Sequence, residues 1–154
     1  MSAGRPFEES GGERGGQRLL WAGLDAEELP LLRVLVTECA LRAGLSPPSH
    51  GVFVQAVVES AAHAVTHGGD TGTIELRVLA GELHCEITDG GPGLLTNRPE
   101  AHGLRLAQSL VRSLAGRLEL HTTPRGTTTT LSVRLPAPTA PTIPAPSATT
   151  ATAR

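Results

Sequence analysis

Glu59-Ser-Ala-Ala-His63-Ala-Val-Thr-His67 reads as part of one helix whose two sides differ, and the rest of the chain is organised around it. At about 100° per residue, Gln55, Val52, His63, Ala56 and His67 fall in one sector around Glu59. Phe53, Val54, Val57, Val58, Ala61, Ala64 and Val65 fill the opposite side, an ordinary core-facing stripe. The polar side carries a carboxylate and two imidazoles in place of the Arg/Glu mixture of a solvated face. A Glu with His four and eight residues later projects three titratable groups in one row, as a helix does when it lines a site.

Upstream, Asp25-Ala-Glu-Glu28 has the form of a capping box with Asp in the capping position. The helix it opens runs to about Ala43 and offers Leu31, Leu32, Leu35, Val36 and Cys39 to a core. Pro30 is tolerated there if the helix begins near Leu29, and Gly44 is the stop. Leu19 to Ala22 reads as a short edge strand. Ser49, after a Pro-Pro loop, is a candidate cap for the central helix, and Gly68-Gly69 ends it.

Downstream, Ile74, Leu76 and Val78 alternate with polar residues, as do Leu83, Cys85 and Ile87. Joined at Ala80-Gly81-Glu82, these runs form an antiparallel hairpin with one apolar face. Leu104, Ala107, Leu110, Val111 and Leu114 have helical spacing, and Gly116 closes that helix. Two further alternating runs, Leu118 to Thr122 and Thr127 to Leu135, are joined by Thr123-Pro-Arg-Gly126. Each strand has one apolar face, so the economical packing is an α/β (α+β) two-layer sandwich. Its sheet is mixed and mostly antiparallel, with helices on one face.

The 154 residues suffice for one domain. Residues 1–17 mix Gly, Glu and Arg without periodicity, and residues 137–154 are Pro, Ala, Thr and Ser. Neither stretch can bury enough apolar surface to offset its ordering entropy, so both are expected to be disordered around a domain at 18–136. A formal charge of −2 carries no footprint for nucleic acid. Cys39 and Cys85 form no C-x-x-C and sit in apolar patterns, as buried free thiols of a reducing compartment do. No run approaches about 18 apolar residues, and no signal-peptide pattern opens the chain. The expected location is the cytoplasm.

The second hairpin strand ends in Asp89-Gly90-Gly91-Pro92-Gly93, an acidic side chain followed by backbone that a ligand can approach closely. The ordered set is a helix with Glu-x-x-x-x-Ala-x-x-His, a strand ending Asp-x-Gly-x-Gly, a helix opened by Gly-Leu, and a strand with Gly-Thr-Thr. It resembles the GHKL ATPases, the superfamily of gyrase, histidine kinases and MutL. Within that superfamily it is most similar to the stand-alone anti-sigma factor serine-protein kinases of bacteria. The resemblance implies a Bergerat fold that binds ATP, with Mg²⁺ as the usual metal. It implies Glu59 as general base, Asp89 as the acceptor of the adenine amino group, and Gly91 and Gly93 as glycines passing close to the nucleotide. Gly103 and Leu104 match the later glycine motif, where a helix N-terminus faces phosphates, and Thr128 matches a threonine near adenine. Residues 94–101 take the place of the ATP lid. The implied partners are a sigma factor and a STAS-type anti-anti-sigma protein, with homodimerisation possible and neither nucleic acid nor membrane bound directly.

Three residues depart from the superfamily pattern. The Asn that holds Mg²⁺ is His63 here, and imidazole suits zinc and softer ions better than Mg²⁺. His63 and His67 do stand at i and i+4, a spacing used for zinc, but no third ligand lies near in sequence. Ala101 replaces a glycine of the later motif. The chain has no Lys, so phosphate charge falls to Arg98, Arg105 or the helix terminus. His84, His102 and His121 have no metal-ligand spacing. Three readings follow: a regulatory serine/threonine kinase, a degenerate partner-binding module of the same fold, and a lone histidine-kinase catalytic domain.

Overall fold

The computed structural model describes residues 16–67, 72–90 and 102–136, with His67, His102 and Gly103 described by backbone alone. The terminal segments expected to be disordered lie outside these residues, apart from 16–17. Gly68, Gly69, Gly91, Gly93, Arg98, Ala101 and the lid stretch lie outside them too. The order is β1 (Gln17–Gly23), a 3₁₀ turn (Ala26–Glu28), α1 (Leu29–Ala43), α2 (Ser49–His67), β2 (Gly72–Leu79) and β3 (Glu82–Asp89). Then come α3 (His102–Arg112), β4 (Arg117–Thr123) and β5 (Gly126–Arg134). Among the described residues no helix is long and apolar enough to cross a membrane.

Asp25 caps as its sequence suggests: its carboxylate accepts from the Glu27 N–H at 2.9 Å. The 3₁₀ turn precedes α1 and lets Pro30 fall in the first turn, where no intrahelical donor is lost. Gly44, at φ 112°, ends α1, and the Leu45 N–H reaches back to the Ala40 carbonyl at 3.0 Å. Ser49 is already the first residue of α2, because the His50 N–H bonds to the Ser46 carbonyl at 3.0 Å. Leu31 of α1, assigned above to the buried face, is 54% exposed. The buried stripe of α1 is Leu32, Val36, Cys39 and Ala40, and Leu31 stands one residue off it.

The sheet order is β1-β2-β3-β5-β4, and every pairing is antiparallel. After α3, the chain enters at the far edge as β4 and turns back as β5, which inserts beside β3. Ala80 and Gly81 join β2 to β3 with φ 54° and 79°, the doubly left-handed turn that matches strand twist. Ile74, Leu76, Leu83, Cys85, Ile87, Leu131 and Val133 form the covered face of the sheet and are all buried. Phe53, Val57 and Ala61 of α2 and Val36 of α1 close the core over them. The opposite face is polar. Glu75, Arg77, His84, Glu86 and Thr130 line a shallow depression of about 320 Å³ there.

The end of α3 differs in detail from the sequence reading. The left-handed residue is Ala115, at φ 60°, and not Gly116. The Gly116 N–H bonds to the Val111 carbonyl and the Ala115 N–H to that of Arg112, both at 2.9 Å. Gly116 is required for a different reason: a Cβ there would meet the Ser132 carbonyl at 2.4 Å. The helix therefore keeps its glycine for close approach to β5 and bears the left-handed cost on an alanine. Replacing Ala115 with glycine removes that cost, so Ala115→Gly should raise stability by about 0.5–1 kcal/mol in denaturant unfolding. An unchanged or lowered midpoint would show that Ala115 is not strained.

Candidate functional site

Two stretches carry the candidate site residues, the polar row of α2 and the end of β3. α2 buries Phe53, Val54, Ala56, Val57, Ser60, Ala61 and Ala64, while Val52, Gln55, Glu59 and His63 are half-buried. Ala56 thus belongs to the core and not to the polar sector. So does Ser60, whose hydroxyl donates to the Ala56 carbonyl at 2.9 Å, so that no polar group is left unpaired.

Glu59 is held by its own helix. Gln55, one turn earlier, donates through Nε2 to Glu59 Oε2 at 2.7 Å. The Gln55 Oε1 in turn accepts from Arg33 Nη2 of α1 at 2.9 Å. The three side chains form a line from the surface of α1 to the carboxylate. Arg33 has no sequence signal, since it lies on another helix. Gln55 had one, its position four residues before Glu59.

Asp89 is the last residue of β3. Its cross-strand partners are Gly72 on β2 and Thr127 on β5, so a glycine and a small hydroxyl flank the half-buried carboxylate. Directly opposite residues share a face in an antiparallel pair. Asp89 shares parity with the buried Ile87, Cys85 and Leu83, which puts it on the helix-covered side. Thr128 pairs with Thr88, and both belong to the polar, open face. The register places Thr127 across from Asp89, while Thr128, the threonine that the resemblance sets near adenine, stands on the open face.

Gly126 opens β5 against the same spot. A Cβ on it would lie 2.0 Å from the Asp89 carbonyl oxygen. Gly103 and Leu104 lie in the first turn of α3, and Leu104 is buried, so its side chain serves the core. Arg105 is exposed on α3 and His121 on β4. His84 stands 3.2 Å from Glu82 on the far side of the sheet. Gly91 and Gly93, the glycines of the Asp89 motif, are outside the described residues.

Neither cysteine belongs to this site. Both are free and buried. Burial pushes both thiols up, Cys85 most strongly, with nearby Glu86 adding to the effect. Cys39 is raised by burial, with Arg42 opposing. Thiols so raised are poor nucleophiles. Among the described residues, no three His, Cys, Asp or Glu side chains gather as a metal site. His63 stands one turn after Glu59 and offers nitrogen where Mg²⁺ prefers oxygen, so its side chain is a poor ligand for that ion.

Residues 23–133 match the Histidine kinase-like ATPase domain family. The chain belongs to this family. Two histidine kinase structures are among the solved structures that share its fold. The histidine kinase domain of the blue-light activated histidine kinase from Erythrobacter litoralis EL346 is 20% identical, with a TM-score of 0.53, over 71% of this chain and 60% of that one. The histidine kinase AdeS from Acinetobacter baumannii is 16% identical, with a TM-score of 0.51, over 77% of this chain and 68% of that one. At these identities the likeness is one of fold. The chain thus spans 60% of the length of the first of these structures. No curated protein matches the chain.

Proposed function

We propose that this histidine kinase-like ATPase domain binds ATP between α2 and the end of β3 and acts as a regulatory serine/threonine kinase of the anti-sigma factor type. In that reading Asp89 accepts a hydrogen bond from the adenine amino group. Glu59 is the general base for a serine hydroxyl on a small STAS-type antagonist protein, and the domain sequesters a sigma factor when free of that antagonist. The observation that carries the reading is the pinned carboxylate. Glu59 has one oxygen engaged by Gln55 at 2.7 Å, which orients the group as a base in phosphoryl transfer requires. The Gly72–Asp89–Thr127 row supports the adenine end.

His63 favours a second reading, a degenerate module of the same fold that controls its partner by occupancy without transferring phosphate. Titration calorimetry with ATP, with and without Mg²⁺, separates the two. The kinase reading expects binding strengthened by Mg²⁺ and acid-stable phosphate on the partner. Acid-labile phosphate would instead indicate transfer to histidine, as a lone histidine-kinase catalytic domain would perform. Absence of ATP binding overturns the kinase reading.

The same titration tests residue 63. His63→Asn supplies an oxygen donor in place of nitrogen, and should raise the Mg²⁺-dependent part of ATP affinity about tenfold. The affinity without Mg²⁺ should stay as it was. If Mg²⁺ enhancement is the same in both proteins, residue 63 does not face the metal.

A further inference from the structure

We infer that Gln55 is the positioning residue of Glu59, and that Arg33 on α1 fixes which way the Gln55 amide points. This rests on the reading of Glu59 as the base.

Donors and acceptors decide the orientation. A glutamine amide presents an oxygen on one side and an NH₂ on the other, and a flip exchanges them. Arginine only donates, so Arg33 Nη2, 2.9 Å away, admits only the amide oxygen. That leaves the NH₂ for Glu59 Oε2 at 2.7 Å, the side on which a carboxylate needs a donor. Both neighbours demand one orientation. A terminal carboxylate otherwise rotates in a broad, roughly two-fold well. With Oε2 engaged, that rotation is stopped and Oε1 is left to meet the nucleophile.

The helix supplies the geometry, since residues four apart lie one above the other on the same face. As a helix-stabilising pair alone, Gln55 and Glu59 would matter little, because such pairs contribute only about 0.2–0.5 kcal/mol. The line from Arg33 is the distinguishing feature. It ties the orientation of a carboxylate on α2 to a side chain on a different helix, which a merely local pair would not need.

Two readouts test this. Gln17, Gln55 and Gln108 are the only glutamines, so glutamine-selective ¹⁵N labelling yields three side-chain NH₂ signals. The Gln55 pair should be shifted downfield with slowed exchange, and Glu59→Ala should return it to the position of a free amide. Arg33→Met should move it part of the way. A Gln55 signal indistinguishable from free glutamine overturns the inference, whether or not ATP binds.

In turnover, Gln55→Leu should lower kcat about 30-fold through misorientation of the base, with ATP affinity within twofold of wild type. Gln55→Glu keeps the shape but presents an acceptor to Glu59, and should lose turnover as well. Retention of wild-type kcat by either variant overturns the inference and leaves ATP binding by the domain intact. A wild type that binds ATP without turnover overturns the role of Glu59 as base, and this inference with it. A wild type that binds no ATP overturns the kinase reading, and the NH₂ signal then decides the geometry alone.

Discussion

Asp89→Ala should weaken ATP binding by about 100-fold while leaving the unfolding midpoint within a few degrees of wild type. Among the described residues of its cross-strand row, Asp89 carries the one charged group, beside Gly72 and Thr127, with Thr122 of β4 beyond Thr127. An adenine amino group placed there loses its acceptor when the carboxylate is removed, and neither a glycine nor a threonine hydroxyl offers a replacement of equal strength. Hydrogen bonds to charged acceptors contribute about 1.5–3 kcal/mol, which spans roughly a tenfold to a hundredfold change in affinity. The fold should survive, because Asp89 ends its strand and is half-buried, outside the apolar core. The pairing of Thr127 with Asp89 predicts that the effect is specific to the base. Affinity for GTP, which presents a carbonyl in place of the amino group, should be weak in wild type and gain nothing from losing Asp89 beyond relief of repulsion. Calorimetry with both nucleotides measures this. Equal ATP affinity in Asp89→Ala and wild type would remove Asp89 from the site.

Gly126→Ala should destabilise the domain by about 3 kcal/mol, a fall of roughly 10 °C in the unfolding midpoint. Two costs combine. Gly126 has φ +154°, a conformation that L side chains rarely adopt. Its added Cβ would also lie 2.0 Å from the Asp89 carbonyl oxygen and 3.0 Å from the carbonyl carbon. The atoms it meets are backbone, so no flexible side chain can give way, and β5 must separate from β3. That separation falls at Asp89 itself. Gly126→Ala should therefore lose ATP affinity as well as stability, unlike Asp89→Ala, which loses affinity alone. Thermal unfolding followed by circular dichroism reads the first effect. A midpoint within about 2 °C of wild type would show that the strand end relaxes freely.

Much of the site was legible because it is written in local spacing. Glu59, Gln55 and His63 share a row of α2 through the helical repeat alone, and Asp89 ends a strand whose alternation is plain. What was not legible depends on a neighbour distant in sequence. Thr127 and Thr128 are adjacent and identical in type, so nothing in Gly126-Thr-Thr distinguishes them. The pairing of β5 with β3 does, because a slip of one residue turns every side chain to the other face. Ala115 and Gly116 show the same limit. Propensity gives the left-handed position to glycine, but the carbonyl of Ser132 on β5 claims the glycine first.

By itself, then, the sequence determined the elements, their order, the apolar face of each strand and the helix that carries Glu59. These follow from periodicity, capping and turn chemistry, which act over a few residues. Only the tertiary structure decided that β5 lies between β3 and β4, that Thr127 faces Asp89, and that Arg33 reaches Gln55 from another helix. Each of these is a contact between segments brought together by burial of a shared core, and burial is non-directional. It specifies that apolar faces meet. The register at which they meet is set by close packing and backbone pairing across the whole sheet.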